Sequence, residues 1–190
     1  MKKSLPVGSH LFPMPVYMIA TYSDDGKVDV MNMAWGGICA ENMVVLNLDE
    51  DHMTSKNIKK RMAFTLSVAD SSHVKESDFF GLASANKIAD KFERSAMHAV
   101  KSEHVDAPVI EEYPLTLECK VVELRHSKEG FSVLGEIVNV LVEESALDEN
   151  GKVDVKKLDA IVFDTFKFGY YSIGEKVGSA FKSGAQLLKG

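Results

Sequence analysis

The segment 131–144, with the sequence FSVLGEIVNVLVEE, constrains the fold most because it is apolar on both faces over much of its length. A strand that borders water on one side alternates apolar and polar residues, whereas a strand covered on both sides need not alternate. Such a strand suits a small barrel whose outside presses against a second surface. We therefore expect a barrel in which this segment is covered on both sides.

Other β-prone runs surround this segment. Residues 15–23 and 28–35 flank the turn DDGK, where Gly26 can supply a positive φ, and together they predict a hairpin. Alternation in its second strand puts Asp29 on the same face as Met31 and Met33, opposite Val28 and Val30. Residues 36–42 are expected to form a loop, and further strands are expected at 43–49, 63–68, 115–124 and 161–174.

Helical patterns are short and lie between these strands. The spacing predicts helices at 54–62, 71–84 and 86–97, and a short helix or turn at 153–160. Six or seven strands that do not alternate regularly with long helices argue against a doubly wound α/β fold. The prediction is a single domain over residues 1–190, mainly β, built as a small antiparallel barrel with short inserted helices.

Composition excludes several classes of function. The net charge of -6 argues against a surface devoted to nucleic acid or to an acidic membrane. No run approaches the roughly 20 apolar residues that a membrane span needs, and prolines interrupt the N-terminal segment, so we expect no signal peptide. The two cysteines, Cys39 and Cys119, lie far apart in sequence, which favours a reducing cytoplasm as the location.

The usual catalytic motifs are missing from the sequence. It has no G-x-S-x-G elbow and no G-x-G-x-x-G run, and its six histidines show no metal-ligand spacing. Cys119 falls on the apolar face of a predicted strand, where a core thiol is expected. We therefore predict no metal site, and no residue stands out as a general acid, a general base or a nucleophile.

Two polar helix starts suggest that the chain binds an anion. HMTSKNI at 52–58 places Thr54, Ser55 and Asn57 where free backbone N–H groups and the helix dipole favour negative charge. The alternative is that Thr54 or Ser55 only caps the helix. A second start, GLASANKIADKFE at 81–93, carries lysines where acidic residues would be usual. It contributes Ser84, Lys87 and Lys91 and points to a phosphate-bearing ligand.

A third stretch, NMAWGG at 32–37, ends a strand with an amide, a large aromatic side chain and two glycines. Glycine lets the backbone approach a flat ligand closely. The alternative for Trp35 is a partly buried core aromatic.

These stretches, in this order, resemble the flavin reductase-like, FMN-binding split-barrel family, and most of all its flavoredoxin branch. The similarity covers almost the whole chain. It is carried by PMPVYMIAT (13–21), VMNMAWGG (30–37), HMTSKNI (52–58), FFGLASANKIADKF (79–92), APVIEEYPLTLECKVV (107–122), LGEIVNV (134–140) and YYSIGEKVGSAF (170–181).

The resemblance implies a homodimer of split β-barrels that binds FMN at or near the subunit interface. It implies that the flavin ring and ribityl chain lie along Asn32, Met33, Ala34 and Trp35. It also implies contacts to the phosphate or the ribityl hydroxyls from Thr54, Ser55 and Asn57, and a phosphate site completed by Ser84, Lys87 and Lys91.

One departure concerns the electron donor. Family members that use NAD(P)H often carry a histidine in a G-x-H run just before the strand that ends in GE, and Gly130 stands at that place here, with His126 four residues earlier. Three functions stay open: an FMN oxidoreductase that takes a hydride from NAD(P)H, a flavoredoxin-type carrier that moves electrons between redox proteins, and a binding module without redox use.

Overall fold

A computed structural model describes residues 1–127 and 130–189 of the chain. The four helices are α1 (Met53–Arg61), α2 (Val74–Leu82), α3 (Lys91–Ser95) and α4 (Val155–Leu158). The strands are β1 (Met14–Pro15), β2 (Tyr17–Tyr22), β3 (Val28–Met33), β4 (Gly36–Ala40), β5 (Met43–Leu48), β6 (Ala63–Val68), β7 (Ala99–Lys101), β8 (Pro108–Ile110), β9 (Leu115–Ser127), β10 (Gly130–Val142), β11 (Ile161–Asp164) and β12 (Gly169–Ser172).

Seven strands form one antiparallel sheet in the order β3-β2-β6-β9-β10-β5-β4. The long strands β9 and β10 pair along their whole lengths and form the centre of this sheet. The strands β1-β11-β12 form a second, small sheet, and β7 and β8 form a separate two-stranded sheet. The prediction of a mainly β fold with short inserted helices is confirmed.

The two faces of the large sheet carry separate hydrophobic cores. Side chains such as Ile19, Phe64 and Phe131 form the core on one face. Met18 and Phe80 belong to the second core, where α2, α3 and β11 cover β2 and β3. Neighbouring residues of β2 thus enter different cores, as strand geometry requires. Cys119 is fully buried in the first core, as predicted.

The strand pair β7-β8 was not predicted, and three expected elements differ in the structure. Part of the expected loop 36–42 is strand β4, because its glycines pair with β5 at the edge of the sheet. The expected helix 86–97 is reduced to α3, since the Ser84 carbonyl accepts hydrogen bonds from Lys87 N and Ile88 N in a turn. The expected strand 161–174 is the hairpin β11-β12, which turns where Asp164 accepts a hydrogen bond from Phe166 N.

The C-terminal part of β10 is only partly covered within one chain. Val140 is 52% exposed and Leu141 is 39% exposed, and these consecutive side chains point to opposite faces of the sheet. Phe131 and Val133 are buried, whereas Ser132 and Leu134 are only partly buried, so the expected covering of this strand on both sides is incomplete within one chain.

Within the described residues, no helix has the length and apolar character that a membrane span would need.

Candidate functional site

Two neighbouring cavities lie where the end of β3 meets the start of α1 and the end of α2. The smaller cavity, about 140 Å³, opens at the start of α1. The larger, about 420 Å³, extends towards the β3-β4 connection and the β11-β12 hairpin. Both are lined by Met31, Asn32, His52 and Gly81, so the two cavities adjoin.

Lys91 supplies the positive charge of the smaller cavity. Its side chain is 5% exposed, and Nζ lies 3.8 Å from Oδ1 of Asp29 and 5.8 Å from the centre of the Phe80 ring. Burial lowers the pKa of Lys91, and the Asp29 carboxylate partly opposes this effect. A buried ammonium group needs a compensating charge, and the Asp29 carboxylate supplies one at this cavity wall.

The start of α1 adds backbone donors to the same cavity. Met53 and Thr54 line it, and N–H groups in the first turn of a helix have no acceptor inside that helix. The N-cap residue is His52, whose side chain forms no capping bond within the described part of the chain. The alternative reading of Thr54 or Ser55 as the cap is therefore wrong. Thr54 instead donates a hydrogen bond from Oγ1 to Oδ2 of Asp29 at 2.6 Å.

A polar clamp holds the loop after α2 against this helix start. Asn86 accepts a hydrogen bond from Lys56 Nζ and donates one to the carbonyl of Asp51, each at 3.0 Å. Ser84, two residues before Asn86, lines the smaller cavity. The clamp therefore fixes the wall to which Ser84 belongs.

Aromatic and amide groups line the larger cavity. Trp35 is 51% exposed at its edge, so it is not a core aromatic. Asn32 donates from Nδ2 to the Ser77 carbonyl at 2.9 Å and to the Tyr170 hydroxyl at 3.4 Å. Tyr170 in turn donates to Oδ1 of Asp78 at 3.0 Å, and burial raises the pKa of Tyr170 to about 12, so this hydroxyl stays protonated. The network fixes the orientation of the Asn32 amide.

The structure brings together seven of the ten residues singled out in the sequence. The residues that line one cavity or both are Asn32, Met33, Ala34, Trp35, Thr54, Ser84 and Lys91.

Ser55, Asn57 and Lys87 lie outside both cavities. Ser55 donates from Oγ to the Asp49 carbonyl at 2.6 Å, and Asn57 donates from Nδ2 to Oγ1 of Thr21 at 3.0 Å. Both are buried, so their polar groups serve to anchor α1. Lys87 is exposed in the turn before α3.

Several lining residues had not been predicted as site residues: Asp29, His52, Asn47, Asp78, Phe163 and Tyr170. Asp29 had a local signal, because an acidic residue alternating with Met31 and Met33 on an inward face needs a polar partner. Tyr170 had no such signal, since only the β11-β12 hairpin brings it to Asn32.

The chain is similar to known flavin proteins both in sequence and in structure. The model of the flavin reductase like domain matches residues 9–162. The flavoredoxin of Desulfovibrio vulgaris (Miyazaki F) is 33% identical with a TM-score of 0.92, over 97% of this chain and 100% of that one. The flavoredoxin from Methanosarcina acetivorans is 28% identical with a TM-score of 0.87, over 98% of this chain and 100% of that one.

A third structure identifies the architecture. A Shewanella frigidimarina protein described as having a split barrel domain has a TM-score of 0.77 at 22% identity, over 87% of this chain and 84% of that one. The predicted split-barrel fold is confirmed. Because the family model matches most of the chain, the chain belongs to the flavin reductase like family.

Proposed function

We propose that the chain is an FMN-binding flavoprotein oxidoreductase. The observation that carries the proposal is that the two adjoining cavities differ in chemical character. One end has a buried lysine and a helix start, and the other has Trp35, Phe163 and Tyr170 around a larger space. A phosphate suits the first end, and a flat ring system suits the second. The family membership and the flavoredoxin neighbours support the same cofactor.

The described residues fit such a ligand. Lys91, Ser84 and the first-turn N–H groups at Thr54 would hold the phosphate. Asn32, Met33, Ala34 and Trp35 would lie along the ribityl chain and the ring. We propose that Ser55 and Asn57 act indirectly, by fixing α1, because their side-chain hydrogen bonds point into the protein. Lys87, which is exposed before α3, would contribute long-range attraction for the phosphate.

The bound flavin supplies the redox chemistry, and the chain supplies position and electrostatics. The Asn32 amide, fixed by Ser77 and Tyr170, orients polar atoms of the ligand. Trp35, at the edge of the larger cavity, would cover part of the bound ring. No side chain is assigned a proton-transfer role.

The electron donor of the flavin is either NAD(P)H or a redox protein. NAD(P)H would deliver a hydride directly, whereas a redox protein would deliver electrons at the surface. Gly130 borders a groove beside Trp35, at the place where NAD(P)H-using members often carry a histidine. Residues 128 and 129, in the same run, lie outside the described residues. This glycine favours the second candidate function, a flavoredoxin-type carrier without NAD(P)H activity of its own.

We also propose a homodimer. Apolar side chains stand exposed at Trp35, Ile38 and Val140. The C-terminal segment adds exposed Val177 and Phe181. A second copy of the chain would remove these apolar side chains from water, which favours association.

Anaerobic reduction separates the two donors. The purified protein, saturated with FMN, is expected to show the yellow absorption of the bound flavin. Bleaching of that band by NADH or NADPH without air supports direct hydride transfer, and free FMN under the same conditions gives the background rate. A band that survives both nucleotides but bleaches with dithionite supports the carrier. Failure to retain any flavin would contradict the proposal as a whole.

A further inference from the structure

The tip of the β7-β8 hairpin, residues 102–107, lies on one face of the large sheet and borders a third cavity. On β9, Cys119 and Val121 pack in the first core, so alternation places Glu118 and Lys120 on the opposite face, against this tip. The cavity beside the tip measures about 550 Å³. No described residue lines both this cavity and either cavity of the candidate functional site, so it is a separate space.

Glu118 is a buried carboxylate that holds the side chain of His104 at this cavity. Glu118 is 1% exposed, and its Oε2 accepts hydrogen bonds from His104 Nδ1 at 2.9 Å and from the Asn139 amide. Burial acts to raise the pKa of Glu118, but hydrogen bonds from Ser102 and Asn139 and the nearby His104 hold it below its usual value. The carboxylate therefore stays ionised.

The backbone of the hairpin tip is fixed as well. Ser102 Oγ accepts hydrogen bonds from the backbone N–H groups of His104 and Val105, at 3.0 Å and 2.9 Å. The imidazole of His104 is thus held from two sides, while its side chain stays 47% exposed and lines the cavity. With Nδ1 engaged by Glu118, Nε2 is the nitrogen left for a ligand. In the protonated ring both nitrogens donate, so Nε2–H can meet an acceptor there.

The charges around the cavity favour an anion. Lys101 and Lys120 line it, and neither forms an ion pair with another residue in the described part of the chain. Arg61 is paired with Asp106, with 3.0 Å between Nη1 and Oδ2. Glu103 is the other carboxylate of the lining. Cations therefore outnumber carboxylates here, on a chain whose net charge is -6.

We propose that this cavity is a second binding site, for a small carboxylate anion that accepts a hydrogen bond from His104 Nε2 and is attracted by Lys101 and Lys120. Arg61 and Met62 bring the end of α1 to the cavity, where helix carbonyls disfavour a phosphate dianion. Point charges on lysine and a single imidazole N–H suit a carboxylate. The site goes beyond the proposed function, because it requires no flavin.

A competing role is that His104 only ties the hairpin tip to Glu118. The same hairpin offers a comparison, because His98 Nδ1 lies 2.8 Å from Oε1 of Glu112 in a similar pair. This second pair does not line the cavity. A ligand in the cavity should therefore affect the ring of His104 and leave that of His98 unchanged.

The test is an NMR titration of the full chain with malonate, at an ionic strength held constant with sodium chloride. The ring resonances are assigned from His98→Gln and His104→Gln. We expect the His104 resonances to shift saturably and the His98 resonances to stay within the effect of salt. Malonamide, which has a similar size and no charge, should produce no saturable shift.

A substitution of Lys120 tests the charge of the site. Lys120→Gln should weaken malonate binding by about fivefold, as for a solvent-exposed ion pair at the upper end of its range. Lys167→Gln, in the exposed turn between β11 and β12, is the matched control and should leave the affinity within about twofold. Both positions are exposed, so neither variant removes a core side chain.

His104 resonances that move no more than those of His98, or that respond equally to malonate and malonamide, would overturn the inference and leave His104 as a tether. Unchanged malonate affinity in Lys120→Gln would also overturn it. Saturating FMN should leave the malonate affinity within about twofold, and competition between the two ligands would contradict a separate site. Failure of the protein to bind FMN would count against the proposed function alone, since the malonate titration needs no flavin.

Discussion

Replacing Lys91 with methionine is expected to weaken FMN binding by roughly 30–150-fold while leaving riboflavin binding within about twofold. Charge-assisted hydrogen bonds to a phosphate contribute about 2–3 kcal/mol, and riboflavin has no phosphate to lose them. Methionine keeps an unbranched apolar side chain, one atom shorter than lysine, against Phe80. Fluorescence titration of both flavins measures the difference, and circular dichroism verifies the fold.

Two controls accompany this substitution. Lys87→Met removes an exposed lysine that adds only long-range attraction, so it should weaken FMN binding far less than Lys91→Met does. The double variant Asp29→Asn, Lys91→Met removes both charges, so that no lone carboxylate stays buried. Equal weakening of FMN and riboflavin in Lys91→Met would show that Lys91 does not meet the phosphate.

A rise in pH should reproduce the effect of Lys91→Met. Burial lowers the pKa of Lys91, so this side chain loses its charge at a lower pH than an exposed lysine does. The protonated form binds the phosphate, and the advantage of FMN over riboflavin is therefore full below the pKa of Lys91 and is lost as the pH rises through it.

Replacing Gly36 with alanine is expected to lower the free energy of unfolding by about 2 kcal/mol, the middle of the range for overpacked sites. A Cβ at this position would lie 2.5 Å from the backbone oxygen of Val45 and 2.8 Å from Cε of Met33. Met33 could adjust, but the backbone oxygen belongs to the strand that pairs with β4. The substitution must therefore separate β4 from β5 next to Trp35.

Gly37→Ala provides the matched control, because a Cβ there meets no atom within 4 Å among the described residues. Urea denaturation of the two variants compares neighbouring glycines on the same edge strand. We expect Gly37→Ala to stay within about 0.5 kcal/mol of the unsubstituted protein, as surface changes usually do. Similar losses in both variants would mean that backbone freedom, and not contact with Val45, governs this strand.

The sequence predicted those parts of the fold that follow from local patterns. Alternation in β3 correctly separated Met31 and Met33 from Val28 and Val30, which lie in different cores. The predicted strand at 63–68 coincides with β6. The hairpin β11-β12 was not predicted because residues 161–174 read as one β-prone run. Its turn is formed by hydrogen bonds from Phe166 N to the Asp164 carboxylate and from Phe168 N to the Asp164 carbonyl.

The sequence indicated which kinds of residue form the site, but it did not indicate which residues contact one another there. Lys91 and Thr54 were recognised as parts of an anion site and do line one cavity. Their shared partner Asp29 comes from a strand more than twenty residues away from either, so local sequence could not connect them. Ser55 looked equivalent to Thr54, but one step along a helix turns a side chain to a different face, and Ser55 points into the protein.

The fluorescence of Trp35 provides the most direct measurement of the central claim. Trp35 is the single tryptophan of the chain and lies at the edge of the larger cavity. If the cavity binds FMN, titration should quench the emission and saturate at one FMN per chain, because a flavin at this distance absorbs the energy of the excited indole. Tryptophan emission that does not respond to FMN, in a protein that stays colourless, would contradict the account.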